Sequence, residues 1–85
     1  MSQQALSNIF DIYQYIAVFN PPAAQRMANR LREAGDGLCE FPRRGRVWTT
    51  ELRELTVVWP YVIRYSIEAN VVTITRIRHG ARQPD

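Results

Sequence analysis

The sequence predicts an α+β domain in which an N-terminal antiparallel helical hairpin packs on a three-stranded antiparallel sheet. Apolar residues recur every three or four positions as far as Phe41, and they alternate with polar residues further along the chain. A proline-rich corner divides the first region into two helices. Since neither layer buries its apolar side alone, the hairpin must cover one sheet face, and residues 1–85 are expected to form a single domain.

The first helix is predicted over residues 2–19. Its apolar positions follow spacings of three and four and form one stripe: Ala5, Ile9, Ile12, Ile16 and Phe19. Four further residues widen this stripe: Leu6, Phe10, Tyr13 and Ala17. A face this broad is expected to pack on more than one element.

The second helix is predicted to begin at Pro21, because Asn20 can cap it and proline suits the first helical position. Gly35 and Gly37 have low helix propensity, so the helix could instead end near Ala34. The apolar stripe stays in phase as far as Phe41, which favours a helix that continues to Cys39. This lone cysteine is expected to be a small buried apolar residue.

A basic turn or loop over residues 42–46 precedes the sheet. Period-two alternation rich in β-branched and aromatic residues then predicts three strands in order: 54–57, 61–68 and 72–78, after which the tail from His79 is expected to leave the sheet. Corners at Trp59-Pro60 and at residues 68–70 join these strands into a meander.

The composition excludes several classes of protein. One cysteine cannot form an internal disulfide, and Cys39 with His79 cannot complete a structural zinc site. No apolar run reaches the roughly 20 residues of a membrane span, and the N-terminus lacks signal-peptide features. A cytoplasmic chain without metal, cofactor or membrane partner is therefore expected.

Positive charge is concentrated in the second half of the chain. Residues 43–85 hold eight arginines against four acidic residues, a net charge of +4, and the whole chain contains no lysine. This distribution suggests an acidic partner or nucleic acid. The alternative is that the arginines reflect a coding bias toward arginine and only form a solvated face, without binding a partner.

The last predicted strand and the tail after it carry the candidate functional residues. Arg76 and Arg78 lie two apart on a strand and share a face, Arg82 follows, and Arg64 on the neighbouring strand can join them. Such a cluster suits phosphate or carboxylate binding. Alternatively, these arginines form a solvated face paired to acidic residues: Glu51, Glu54 and Glu68.

His79 has two interpretations. It could be a general base or a phosphate contact, since it titrates near neutral pH. The alternative is that it caps or fixes the end of the last strand, as most such histidines do. Trp48 and Trp59 could stack on bases, but tryptophan more often anchors a core or an interface. No self-standing catalytic motif is present in the sequence.

The ordered segments resemble the ParE toxins of the RelE/ParE toxin–antitoxin superfamily over nearly the whole chain. The helix 9–17, the corner 20–24, the Tyr-x-Ile-x-Tyr strand at 61–65 and the Arg-His-Gly-x-Arg ending at 78–82 carry this resemblance. Members usually begin with a short strand before the first helix, which is missing here. Its absence would leave a sheet edge that a partner could fill.

The resemblance implies a toxin of a type II toxin–antitoxin system that inhibits DNA gyrase without enzymatic activity of its own. A cognate ParD-type antitoxin would neutralise it in a hetero-oligomer. On this interpretation the target, gyrase or nucleic acid, contacts four residues: Arg76, Arg78, His79 and Arg82. The antitoxin contacts four others: Arg53, Trp59, Tyr61 and Arg64.

Two alternatives remain open. RelE-like members of the superfamily cleave mRNA on the ribosome, and His79 would then be the general acid or base. The absence of lysine, and of any tyrosine after Tyr65, sets this chain apart from that branch. The missing first strand motivates the other alternative, an inactive toxin-like domain that only binds its antitoxin.

Overall fold

Two helices precede four strands in the computed structural model, which describes residues 1–80. The elements are α1 (Gln3–Ala17), α2 (Pro21–Glu40), β1 (Arg46–Val47), β2 (Leu52–Leu55), β3 (Tyr61–Glu68) and β4 (Val71–His79). The strands lie in the order β1-β2-β3-β4, and all neighbours are antiparallel. The predicted α+β class is confirmed, but the sheet has a fourth strand, because the short β1 pairs with β2. No helix within residues 1–80 is long and apolar enough to cross a membrane.

Both helices begin at capped N-termini. The Ala5 N–H donates to Ser2 Oγ at 3.1 Å, and the Ala23 N–H donates to Asn20 Oδ1 at 3.1 Å. The predicted junction at Asn20 is therefore confirmed. Helix α2 also continues through both glycines to Glu40, as the longer interpretation expected.

The core lies between the helical hairpin and one face of the sheet. Its largest fully buried side chains come from α2, β3 and β4: Leu31, Leu38, Ile63, Tyr65 and Ile77. Helix α1 contacts both α2 and β4, which confirms that its broad apolar face packs on more than one element. Two of the residues that widen this face, Leu6 and Phe10, are nevertheless exposed.

A β-bulge in β4 decides which residues face the core. Arg64 pairs with Arg76, and Tyr65 pairs with Ile74, so Thr75 is an extra residue in β4. Ile74 and Ile77 are three positions apart, yet they are only 4% and 1% exposed. Strict alternation would have placed these two isoleucines on opposite faces of the sheet.

The N-terminal residues contact the outer edge of β4. The Ser2 N–H donates to the Ile74 carbonyl at 2.9 Å, and Ser2 Oγ donates to the Thr75 carbonyl at 3.2 Å. The Ile77 N–H donates to Asn8 Oδ1 at 3.0 Å. Within residues 1–80 no strand precedes α1, and these three hydrogen bonds occupy part of the edge that was expected to be unpaired.

Two side chains of the sheet hold the α2–β1 loop, residues 41–45. Tyr65 Oη donates to the Pro42 carbonyl at 2.7 Å and accepts from the Gly45 N–H at 2.8 Å. Arg53 Nη1 donates to the Gly45 carbonyl at 2.8 Å. A Cβ at Gly45 would lie 2.5 Å from Tyr65 Oη and 2.8 Å from the Glu54 carbonyl oxygen. Glycine is therefore required by close packing at this position.

Two glycine substitutions should change the free energy of unfolding in opposite directions. Gly45→Ala forces the loop away from Tyr65 and should lower stability by about 1–3 kcal/mol. Gly37 lies in α2 with nothing within 4 Å of an added Cβ. Gly37→Ala should therefore raise stability by about 0.5–1 kcal/mol. Urea unfolding measures both changes, and equal stability of the two variants would contradict the packing described for the loop.

Candidate functional site

Strand alternation divides the predicted cationic cluster between the two faces of the sheet. Arg76 lies opposite Arg64, and Arg78 reaches Glu54, so Arg76 and Arg78 lie on the outer face, away from the helices. Their predicted shared face is confirmed. His79 instead lies opposite Tyr61 on the helix side, with ring centroids 5.6 Å apart in an edge-to-face arrangement.

His79 lines a small groove beside α1. This groove has a volume of about 210 Å³ and is bordered by residues from α1, β3 and β4: Asn8, Asp11, Ile12, Tyr15, Tyr61, Ile77 and His79. Asp11 is exposed, whereas His79 is half-buried at the end of β4. The histidine is thus separated from Arg78 by the thickness of the sheet.

Glu54 lies at the centre of the outer face and is 3% exposed. Its Oε2 accepts from Arg64 Nη2 at 3.0 Å and from Arg78 Nη2 at 3.3 Å. Its Oε1 lies 3.9 Å from Arg46 Nη2. One carboxylate on β2 therefore contacts guanidinium groups from β1, β3 and β4. The sequence suggested Glu51, Glu54 and Glu68 as partners of these arginines on a solvated face. Glu54 makes the ion pairs described here, but it is buried and not solvated.

Trp48 covers the Arg64 guanidinium. Arg64 Cζ lies 3.8 Å from the indole ring centroid, within the range of a cation–π interaction. The indole of Trp48 itself stays partly exposed. Trp48 is therefore an anchor on the outer face of the sheet, and Arg64 is held between an aromatic ring and a carboxylate.

The four residues predicted to bind the antitoxin do not form one patch. Trp59 is 79% exposed at the β2–β3 turn, whereas Tyr61 is buried on the helix side. Arg64 is buried on the outer face, and Arg53 binds the α2–β1 loop. Of the predicted target-binding residues, Arg82 lies outside the described residues.

Sequence reasoning missed an apolar groove between the two helices, here called the hairpin groove. It has a volume of about 230 Å³ and is lined by Leu6, Ile9, Phe10, Tyr13, Gln25, Ala28 and Arg32. The sequence feature that could have indicated this groove is the unusual width of the apolar stripe on α1.

The expectation of a buried Cys39 was wrong: this thiol is exposed, because Leu38 occupies the core-facing position at the end of α2.

Comparison with known proteins gives a consistent result. A family model described as the ParE toxin of type II toxin–antitoxin systems matches residues 1–84. Toxin RelE2 of Caulobacter vibrioides is 56% identical over 79 residues, which cover 93% of this chain and 90% of that protein. Toxin RelE1 of the same organism is 40% identical over 67 residues, covering 75% of this chain and 72% of that protein.

Two further relatives extend this result. A putative toxin of Sinorhizobium fredii, Y4kP, is 37% identical over 84 residues, covering 94% of this chain and 84% of that protein. A solved structure of a chromosomal ParDE toxin–antitoxin system from P. aeruginosa has a TM-score of 0.80 at 22% identity, covering 92% of this chain and 89% of the solved chain. That likeness supports the fold.

These matches and the α+β architecture define a toxin component of a type II toxin–antitoxin system. The chain belongs to the ParE toxin family within the RelE/ParE superfamily. Membership of this family implies an antitoxin partner.

Removing the charge of Glu54 should destabilise the fold. Glu54→Gln takes away the carboxylate that Arg64 and Arg78 share in a buried setting, and we expect a loss of about 3 kcal/mol in unfolding free energy. Glu51→Gln is the matched control, because Glu51 is exposed, and it should change stability by less than about 0.5 kcal/mol. Chemical denaturation separates the two, and a similar small effect for both would show that the shared carboxylate does not support the sheet.

Proposed function

We propose that this chain is a toxin that inhibits DNA gyrase by binding and is neutralised by a ParD-type antitoxin. The observation that carries the proposal is the position of His79 relative to the arginines. Cleavage of a phosphodiester needs an acid or base and charge-stabilising groups around one phosphate. Arg78 and His79 lie on opposite faces of the sheet. This arrangement favours action by binding over catalysis.

The outer face is the proposed target surface. Arg76 and Arg78 lie on it, and Arg46 beside Glu54 is well exposed. A cationic face of this kind suits an acidic protein surface or the DNA held by gyrase. Arg82 is included because it follows Arg78 closely in the sequence, and His79 would contact the target from the neighbouring edge.

The proposed antitoxin contacts begin at Trp59, the most exposed of the four candidate residues. Arg53 lies beside the α2–β1 loop, and contact with Tyr61 or Arg64 would require the partner to reach the less accessible sides of the sheet. The exposed Leu6 and Phe10 of the hairpin groove also suit a partner that wraps the toxin. Burial of such apolar groups would stabilise the complex through the hydrophobic effect.

A second candidate is a ribosome-dependent endoribonuclease. The two relatives from Caulobacter vibrioides bear the names RelE2 and RelE1, and the RelE-like branch of the superfamily cleaves mRNA. In that case His79 would act as general acid or base within its groove beside α1. The arginines of the outer face would then have to reach the phosphate from the other side of the sheet.

Purified toxin, free of antitoxin, should inhibit gyrase supercoiling and cause cleaved DNA to accumulate. We expect His79→Gln to retain inhibition within about twofold, because no proton transfer is required. The double variant Arg76→Gln/Arg82→Gln should weaken inhibition about tenfold, the effect of losing interface charges. Arg26→Gln/Arg30→Gln on the exposed side of α2 removes the same charge and is the matched control.

A ribosome-bound mRNA cleavage assay run beside it identifies the alternative functions. Cleaved mRNA, unaffected gyrase and a loss of about 100-fold or more in His79→Gln would replace the proposal with the endoribonuclease. A folded sample that is inactive in both assays, but binds antitoxin, would identify an inactive toxin-like domain.

A further inference from the structure

The α2–β1 loop is held by side chains that the proposed gyrase contacts do not use. Tyr65 is fully buried, and its hydroxyl bonds two main-chain groups of the loop, those of Pro42 and Gly45. Arg53 Nη1 bonds the Gly45 carbonyl at 2.8 Å and approaches the Arg43 carbonyl at 3.4 Å. Four hydrogen bonds from two side chains therefore fix the backbone of this loop.

The fixed backbone presents one aromatic and two cationic side chains to solvent. Phe41 is 66% exposed, and Arg43 and Arg44 next to it are exposed as well. The Arg44 N–H donates to the Phe41 carbonyl at 3.1 Å, which closes the turn between them. Among residues 1–80, no carboxylate forms an ion pair with either arginine.

An open hollow adjoins these side chains. It has a volume of about 740 Å³ and is lined by Glu40, Phe41, Pro42, Arg43 and Arg44. Phe41 and Pro42 provide apolar contact area, and Arg43 and Arg44 provide two guanidinium groups. Apolar and cationic side chains therefore border the same hollow within five consecutive residues.

We propose that this loop is a docking site for an acidic segment of the antitoxin. The segment would place a large apolar side chain against Phe41 and Pro42 and its carboxylates on Arg43 and Arg44. Guanidinium groups bind carboxylates in a planar, two-bond geometry. The net charge of +3 on the toxin complements an acidic partner. The inference rests on the antitoxin partnership and is independent of the target.

A peptide fits this surface better than a nucleic-acid backbone. A phosphate backbone is bound by a row of cations along its path, whereas only two arginines stand at this turn. The exposed Phe41 also has apolar area to bury, which an apolar side chain of a peptide covers and a phosphate backbone does not. Because Tyr65 and Arg53 have already ordered the loop, docking loses less conformational entropy.

The test titrates the full chain with the purified antitoxin encoded by the neighbouring gene. Phe41→Ala and Arg43→Gln/Arg44→Gln should each weaken binding at least about tenfold, as expected for anchor residues of an interface. The control Arg26→Gln/Arg30→Gln removes equal charge from exposed positions of α2 and should change affinity less than about threefold. The charge variant should also reduce the salt dependence of binding.

Tyr65→Phe tests whether the loop must be held in place. This variant keeps the buried ring and removes the hydroxyl that bonds Pro42 and Gly45. It should weaken antitoxin binding about threefold to tenfold without contacting the partner, since the loop must then be ordered on docking. Thermal unfolding must show that the variant is folded at the temperature of the titration.

Several results would overturn the proposal. The proposal is wrong if the Phe41 and Arg43/Arg44 variants bind the antitoxin with unchanged affinity. It is also wrong if the antitoxin does not bind the unaltered toxin. Loss of binding to a 20-base-pair DNA duplex with antitoxin affinity retained would make the loop a nucleic-acid contact instead. Gyrase assays on the same proteins distinguish the two proposals. If the toxin does not inhibit gyrase but its loop variants lose antitoxin affinity, the proposed target is wrong and the proposed docking site is supported.

Discussion

One buried carboxylate connects all four strands of this sheet. The helices cover a single face, so the opposite face must satisfy the charges that strand alternation places on it. Glu54 of β2 contacts Arg64 and Arg78, which belong to β3 and β4, and approaches Arg46 of β1. Buried guanidinium groups require such a countercharge, because an uncompensated ion in a low-dielectric setting is strongly unfavourable. The shape of the cationic face therefore depends on this residue.

The two faces of the sheet have different chemistry, and this difference supports the functional proposal. On the outer face, Glu54 fixes Arg64 and Arg78, and the indole of Trp48 covers Arg64, so this part of the face is rigid. His79 lies on the other side in a groove beside α1, so it does not combine with Arg78 around one reacting phosphate. The α2–β1 loop is a third region, held from within by Tyr65 and open to a separate partner.

Much of the fold could be predicted from the sequence, because period and capping are local signals. The corner at Asn20, the long α2 and the order of elements were confirmed. The two residues of β1 are too few to show a period, and the bulge at Thr75 appears in the sequence only as a spacing of three between Ile74 and Ile77, which alone does not distinguish a bulge from the end of a strand. The partners of Glu54 depend on cross-strand register, which no local signal contains. The separation of Arg78 from His79, however, follows from alternation alone.

Mapping the ends of broken nucleic acids within minutes of inducing the toxin tests the central claim most directly. Capture of DNA ends covalently attached to protein would be compared with sequencing of new mRNA ends from the same cells. A toxin that acts by binding gyrase predicts gyrase-linked DNA ends and no mRNA ends inside ribosome-occupied codons. New mRNA ends at those codons, abolished by His79→Gln and accompanied by intact DNA, would contradict the account and make His79 a catalytic residue.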